Sequence, residues 1–253
     1  MRDVADPIAD FIRAACVPRE DEGHNSHGSG TLERARQILG EHPEVATASI
    51  HTAAILGDDV AVRRFLELDP TAATTQGGPW GWDALTHLCF SRYLRLERGR
   101  SEAFVRAART LLDAGADPNG GFFEESHRPE RSWESVLYGA AGVAHDPELT
   151  RLLLERGADP NDGETEYHAP EWFDNRAMEV IVESGKLAPG GLTTMLHRKL
   201  DWTDLDAVAW LLDHGADPNA VSLWGNRAVH HSLQRDSVLH FQELLLERGA
   251  DPN

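Results

Sequence analysis

The sequence predicts an all-α solenoid of about seven stacked helix-turn-helix units, and three observations carry that prediction. The first is an ending, Leu111-Leu112-Asp113-Ala114-Gly115-Ala116-Asp117-Pro118-Asn119, that returns in closely related form at 153–161, 211–219 and 245–253. Its glycine suits the left-handed position just past a helix C-terminus, and Asp-Pro-Asn then takes the chain out of helical geometry. The second is spacing. The apolar pairs Ile38-Leu39, Phe65-Leu66, Leu111-Leu112, Leu153-Leu154, Ile181-Val182, Leu211-Leu212 and Leu245-Leu246 lie 27, 46, 42, 28, 30 and 34 residues apart. A period between about 20 and 50 residues marks a stacked array. The third is Ile50 to Leu66, where a short helix with alanines on one face is turned by Gly57 into a second, more apolar helix.

Taken in order, Asp6 to Cys16 carries a helical stripe of Ile8, Phe11, Ile12 and Ala15. The Pro, Gly, Ser and acid content of Val17 to Gly30 predicts a mobile loop. Thr31 is placed to cap the next helix, with Glu33 near its positive end. This first helix pair is expected to seal the N-terminal end. From Ile50 onward the starts agree as well as the endings, at Ser135-Val136-Leu137-Tyr138-Gly139-Ala140-Ala141, Gly163 to Ala169, Thr194-Met195-Leu196-His197 and Gly225 to His230. These segments resemble the ankyrin repeat, with its Thr-Pro-Leu-His-x-Ala-Ala start, Gly-centred turn, apolar second helix and Gly-Ala-Asp ending. The resemblance implies one domain over 1–253, with repeats at roughly 6–45, 46–74, 81–119, 132–161, 163–187, 191–219 and 225–253.

The pattern breaks where the steps lengthen. Pro70 to Trp82 is an enlarged turn, Ser91 to Arg100 adds a basic stretch between two helices, and Gly120 to Arg131 is too long for a simple turn. Long loops in a regular array serve binding more often than they serve packing. Pro170 is expected to interrupt the first helix of the fifth repeat, where Gly185 to Pro189 replaces the usual ending. The last repeat would leave an apolar flank in water at Leu239 to Leu246, so the expectation is that the natural chain continues past Asn253 or that this end packs on a further repeat or another molecule.

Hydrophobic content of 41% and charged content of 26% fit a folded chain. A formal charge of −18 repels nucleic acid and anionic membranes, so neither is an expected partner. No run approaches the length of a membrane span, and Met1 to Asp6 lacks the cationic start of a signal peptide, which points to a cytoplasmic protein. Cys16 and Cys89 read as reduced core thiols.

No phosphate loop, nucleophile elbow, zinc-protease, Cys-x-x-Cys or dinucleotide motif is present, and no cofactor is expected. His51, His168, His197 and His230 fall on the family's histidine, which the resemblance implies braces neighbouring turns. Neither His230-His231 nor His24 and His27 has the geometry of a metal chelate. Family β-turns project like fingers along the concave side, which implies a protein partner bound there by large flat side chains. The expected patch is Trp80, Trp82, Phe122, Phe123, Arg128, Arg131 and Trp133, because aromatics and arginine dominate binding hot spots. Trp172, Trp202 and Trp210 read as structural. The alternative from another class is an enzyme whose loop insertions close over the groove, with His87, His127 or Glu134 acting in a pocket of converging His and carboxylate groups.

Overall fold

The computed structural model describes residues 6–17, 27–124, 131–234 and 239–253. Helices α1 (Pro7–Ala15) and α2 (Glu33–Glu41) form the first pair, α3 (Ile50–Ile55) and α4 (Asp59–Leu68) the second. In the third, α5 (Ala84–Cys89) and α7 (Ser101–Asp113) are separated by an inserted helix, α6 (Arg92–Leu96), and a 3-10 turn at Arg98–Arg100. A two-stranded antiparallel hairpin, β1 (Gly121–Glu124) and β2 (Ser132–Ser135), leads into α8 (Val136–Tyr138), a π-helical turn at Gly139–Val143 and α9 (Pro147–Glu155). The remaining pairs are α10 (Glu164–His168) with α11 (Arg176–Glu183), α12 (Pro189–Asp201) with α13 (Leu205–Asp213), and α14 (Ala228–Gln234) with α15 (Leu239–Glu247).

Two layers result. Short first helices pack in the series α3, α5, α8, α10, α12, α14, and second helices in the series α4, α7, α9, α11, with α13 packing on α15. Alanines such as Ala53, Ala54, Ala84, Ala140 and Ala141 are buried and allow the close approach of the first layer. Leucines of the second layer, among them Leu111, Leu153 and Leu211, are fully buried between neighbours. Each such side chain is worth about 1.5–3 kcal/mol, which a lone pair of helices cannot collect.

Part of the acidity is structural. Asp58, Asp146 and Asp204 accept from the backbone N–H groups of Ala61, Leu149 and Ala207 and so cap α4, α9 and α13. The recurrent Asp-Pro-Asn has a second role that its letters do not announce. The Asn119 amide donates to Gly157 O and accepts from Asp159 N, at 3.1 and 2.9 Å. Asn161 joins Lys186 O and Ala188 N at 3.1 and 2.7 Å, and Asn219 joins Gly249 O and Asp251 N at 2.9 and 2.7 Å. Each asparagine thus clamps the turn of the following pair.

The basic insert is a clamp as well. Arg92 donates to Ala14 O at the end of α1, while Arg95 donates to the carbonyls of Gly28, Ser29 and Gly30. Residues 27–30 are therefore held in place, against the expectation of mobility for that part of Val17 to Gly30; 18–26 lie outside the described residues. Gly30 is required here: its φ is +87°, and a β-carbon would meet the Arg92 guanidinium at 2.5 Å.

Candidate functional site

Under the insert, on the side of the first helices, lies a recess of about 890 Å³. Its walls come from five separated segments: 27–29, the insert at Arg95, Leu96 and Arg98, β2 through His145, Gly163 to Trp172, and Trp202. The hairpin register decides what reaches it. Phe122 pairs with Glu134 and Phe123 with Trp133, so alternate side chains point to opposite faces. Phe122, Glu124 and Glu134 turn inward and are buried.

The inner end of the recess is polar. His27 Nδ1 lies 3.0 Å from the Tyr138 hydroxyl, and its ring stands 3.6 Å from a Glu124 oxygen and 3.7 Å from Glu134 Oε2. Glu134 accepts from the Ser132 hydroxyl through Oε1, while Oε2 has no hydrogen-bond partner. Burial pushes the Glu134 carboxyl up to about 8, with Glu164 and Glu124 adding to the effect and Ser132 and His168 opposing it.

The floor carries a chain of charges. His168 contacts Glu171 at 2.7 Å and Glu164 at 3.2 Å, Arg198 bonds both Glu171 and Asp201, and His231 reaches Asp201 at 2.7 Å. Burial disfavours the charged His168 ring, but hydrogen bonds to Glu164 and Glu171 overcome it and raise the ring to about 9. His168 thus serves the recess instead of bracing a turn. His51 does brace one, through Thr75 O at 2.9 Å, and His197 bonds Thr193 O of its own helix. It is His231, not His230, that spans neighbouring helices.

At the outer end His145 stands where Gly57 stands two pairs earlier, just before the aspartate that caps the second helix. It keeps the left-handed conformation, φ 50°, without being glycine. Such a residue costs about 1 kcal/mol, and Thr203, at the same position before Asp204, repeats it with φ 52°. Its ring is buried with Nδ1 unpartnered, and burial and the nearby Arg98 depress it to about 4. The rim is aromatic. Trp172 and Phe173 are 51% and 63% exposed, and both lie against Trp202 with ring centroids 6.4 and 5.9 Å away. Buried Lys199 fixes this rim by donating to Trp172 O at 2.6 Å and to Asp204 at 3.1 Å.

Residues 196–242 match the family model described as ankyrin repeats in many copies. The whole structure is similar to the human ASB11 ankyrin repeat domain, with a TM-score of 0.60, 20% identity, and coverage of 80% of this chain and 84% of that one. The ankyrin repeat domain of Bcl-3 gives 0.59 and 20%, covering 80% and 86%, and one from Acinetobacter baumannii AYE gives 0.58 and 22%, covering 80% and 98%. The fold is that of an ankyrin-repeat array. No curated protein sequence matches the chain.

Within this ankyrin-repeat array the expected aromatic patch divides in two. Trp82 stacks on Phe122 at 4.3 Å, Phe90 meets Phe122 edge-on at 4.9 Å, and Trp80 lies 4.6 Å from Trp82. Trp82 and Phe122 are buried, because the hairpin supplies the core that Phe122 was expected to lack. On the opposite face Trp133 packs on Phe123 at 4.7 Å and Arg131 covers the Phe123 ring at 3.7 Å, leaving Phe123 39% exposed. Arg128 lies outside the described residues, as does His127. Of the residues named for a pocket, Glu134 lines one, whereas His87 is fully buried on Asp83 O at 2.8 Å. Trp172, read from the sequence as structural, is a rim residue, and Trp202 stands beside it. Among the described residues no group of His, Cys, Asp and Glu is arranged to hold a metal ion, and no helix is long and apolar enough to cross a membrane.

Proposed function

We propose that this ankyrin-repeat array is a protein-binding module whose partner docks on the first-helix side, over the mouth of the recess. Ankyrin-repeat domains generally mediate protein–protein interaction, which supplies the class of function. The observation that carries the site is the rim: Trp172 and Phe173, exposed beside Trp202 and held by Lys199, are the kind of rigid aromatic surface that anchors a partner. A preformed array loses little entropy on binding, so few anchors suffice. In this reading the chain is a single domain that binds without catalysing and carries no cofactor. Phe123, Arg131 and Trp133 form a separate, flanking patch. Affinity capture from the source cell should lose the partner with Trp172→Ala/Phe173→Ala and keep it with Phe123→Ala/Trp133→Ala. Equal capture by both variants and the parent would refute the rim as the site.

One observation favours a second reading, acid–base catalysis in the recess: Glu134 is buried with a free oxygen and is held neutral at pH 7. A carboxyl in that state can protonate a bound group. Hydrolysis of an ester, phosphoester or glycoside probe that falls as pH rises through about 8, and disappears in Glu134→Gln, is the expected result. Identical rates for parent and variant across the panel would dismiss it.

A further inference from the structure

Besides His27 Nε2 and Arg95 Nε, two buried polar atoms at the two ends of the recess, Glu134 Oε2 and His145 Nδ1, have no hydrogen-bond partner. Native proteins rarely leave such atoms empty, because each forfeits its hydration for nothing. His145 also keeps a left-handed backbone, at a position that holds Gly57 in the second pair and Thr203, φ 52°, in the sixth. Glu134 and His145 can each accept a hydrogen bond. Among the described residues the cationic groups nearby are largely engaged: Arg95 through its terminal nitrogens to three backbone carbonyls, its Nε alone unpartnered, Arg98 to His145 O and Asp174, and His168 to Glu164 and Glu171. Between the two ends, the walls include the rings of Tyr138, Tyr167 and Trp172.

We propose that the recess takes a basic side chain, arginine or lysine, from an extended segment of the partner protein, with Glu134 and His145 as its acceptors. This rests on the docking reading above and adds the chemistry of the segment that docks. A guanidinium or ammonium supplies several donors and no acceptor, which matches what the recess lacks. Its aliphatic stem lies against the ring walls while the head meets their faces, a favourable cation–π arrangement. The overall charge of −18 draws basic segments toward the array. An anionic ligand would meet Glu134, Glu124 and Glu164, with only the Arg95 Nε–H unengaged among the described cationic groups to receive it.

Entry of the cation is coupled to a proton. Glu134 is faced by Glu124 of β1, Ser132 of its own strand, Tyr138 of α8, His27 of the N-terminal loop, and Glu164 and His168 of α10. Burial among these groups holds its carboxyl protonated up to about pH 8. A bound cation favours the carboxylate, so binding expels the proton and strengthens as pH rises toward 8, then levels off.

The test uses Nα-acetylargininamide and Nα-acetyllysinamide, with Nα-acetylnorleucinamide and Nα-acetylglutamate amide as controls, titrated into the full chain while the tryptophan indole N–H resonances are followed by NMR. A single residue of this size should bind with Kd of about 1 mM at pH 8 and roughly tenfold more weakly at pH 6. Glu134→Gln should weaken the basic probes about tenfold or more and erase the pH dependence. His145→Gly should leave the melting temperature near that of the parent and still weaken the basic probes, an outcome that a merely structural histidine would not give. Equal binding of the norleucine or glutamate probe, or unchanged binding of the basic probes by both variants, overturns the proposal. If the rim variants lose the natural partner while the basic probes fail to bind, the docking surface stands and the cation site falls; the reverse pattern separates them the other way.

Discussion

Asn119, Asn161 and Asn219 each close two hydrogen bonds on the backbone of the following turn, and removing one such amide leaves a carbonyl and an N–H unpaired at an interface. Asn161→Ala should therefore cost about 1–3 kcal/mol in a urea melt, and Asn161→Asp less, since a carboxylate still accepts from Ala188 N. The sequence displays these asparagines only as part of a helix stop, because their partners lie 38, 25 and 30 residues away. His145 is a second such case: histidine in a run of small residues gives no sign of a left-handed backbone until the turn is seen. His145→Gly should relieve about 1 kcal/mol of backbone strain while losing a buried ring stacked on Trp172 and adding entropy to the unfolded chain, so the melting temperature should change little. Two groups of the recess whose protonated forms are favoured set a pH trend on the alkaline side. The buried Glu134 carboxyl is raised from 4.5 to about 8, so its contribution is intact below about pH 4.5 and is lost as pH climbs to 8. Held by two carboxylates, the His168 ring is raised from 6.5 to about 9, so its contribution is intact below about pH 6.5 and is lost through 9. The buried His145 and His87 rings, depressed to about 4 and about 3, make stability rise with pH up to about 6.5 and oppose Glu134 there. The melting temperature should therefore fall between about pH 6.5 and 9, with Glu134→Gln flattening the earlier part of the fall and His168→Asn the later.

Among the elements, the β1–β2 hairpin and the α6 insert do most to shape the site, and both were visible in the sequence only as extra length. Adjacent Phe122 and Phe123 look alike as letters, yet on a strand they must face opposite ways, and only the pairing with β2 tells which one enters the core. The basic residues of Ser91 to Arg100 read equally well as a ligand-binding stretch or as a clamp. Burial of Arg92 and the three carbonyl bonds of Arg95 make them a clamp. Arg95→Ala should release the loop at 27–30, seen as faster backbone hydrogen exchange there, while exchange in α9 and α11 is unchanged. Unaltered exchange at 28–30 would mean that His27 alone holds the loop.

The order of the helices was legible across the whole molecule because a stacked array is written locally, each cap and stop lying within a few residues of the helix it ends. The recess was not, because five segments far apart in the chain meet to form it. Leu153, fully buried in the second layer, tests the stacking directly: Leu153→Ala should cost about 2–5 kcal/mol and lower the single melting transition of the array. The asparagine clamps are unevenly placed, and this has a mechanical consequence. They lock the third pair to the fourth, the fourth to the fifth and the sixth to the seventh, whereas among the described residues the fifth and sixth are joined by a single side-chain amide bond, Asn175 Nδ2 to Asp204 at 2.9 Å, where α11 and α13 scarcely touch. That seam relies on Lys199, on Arg198 and on the packing of α10 against α12, directly beside the Trp172 rim. Under pulling force the array should part there first, into a longer and a shorter segment, and a ligand seated at the rim should raise the force needed.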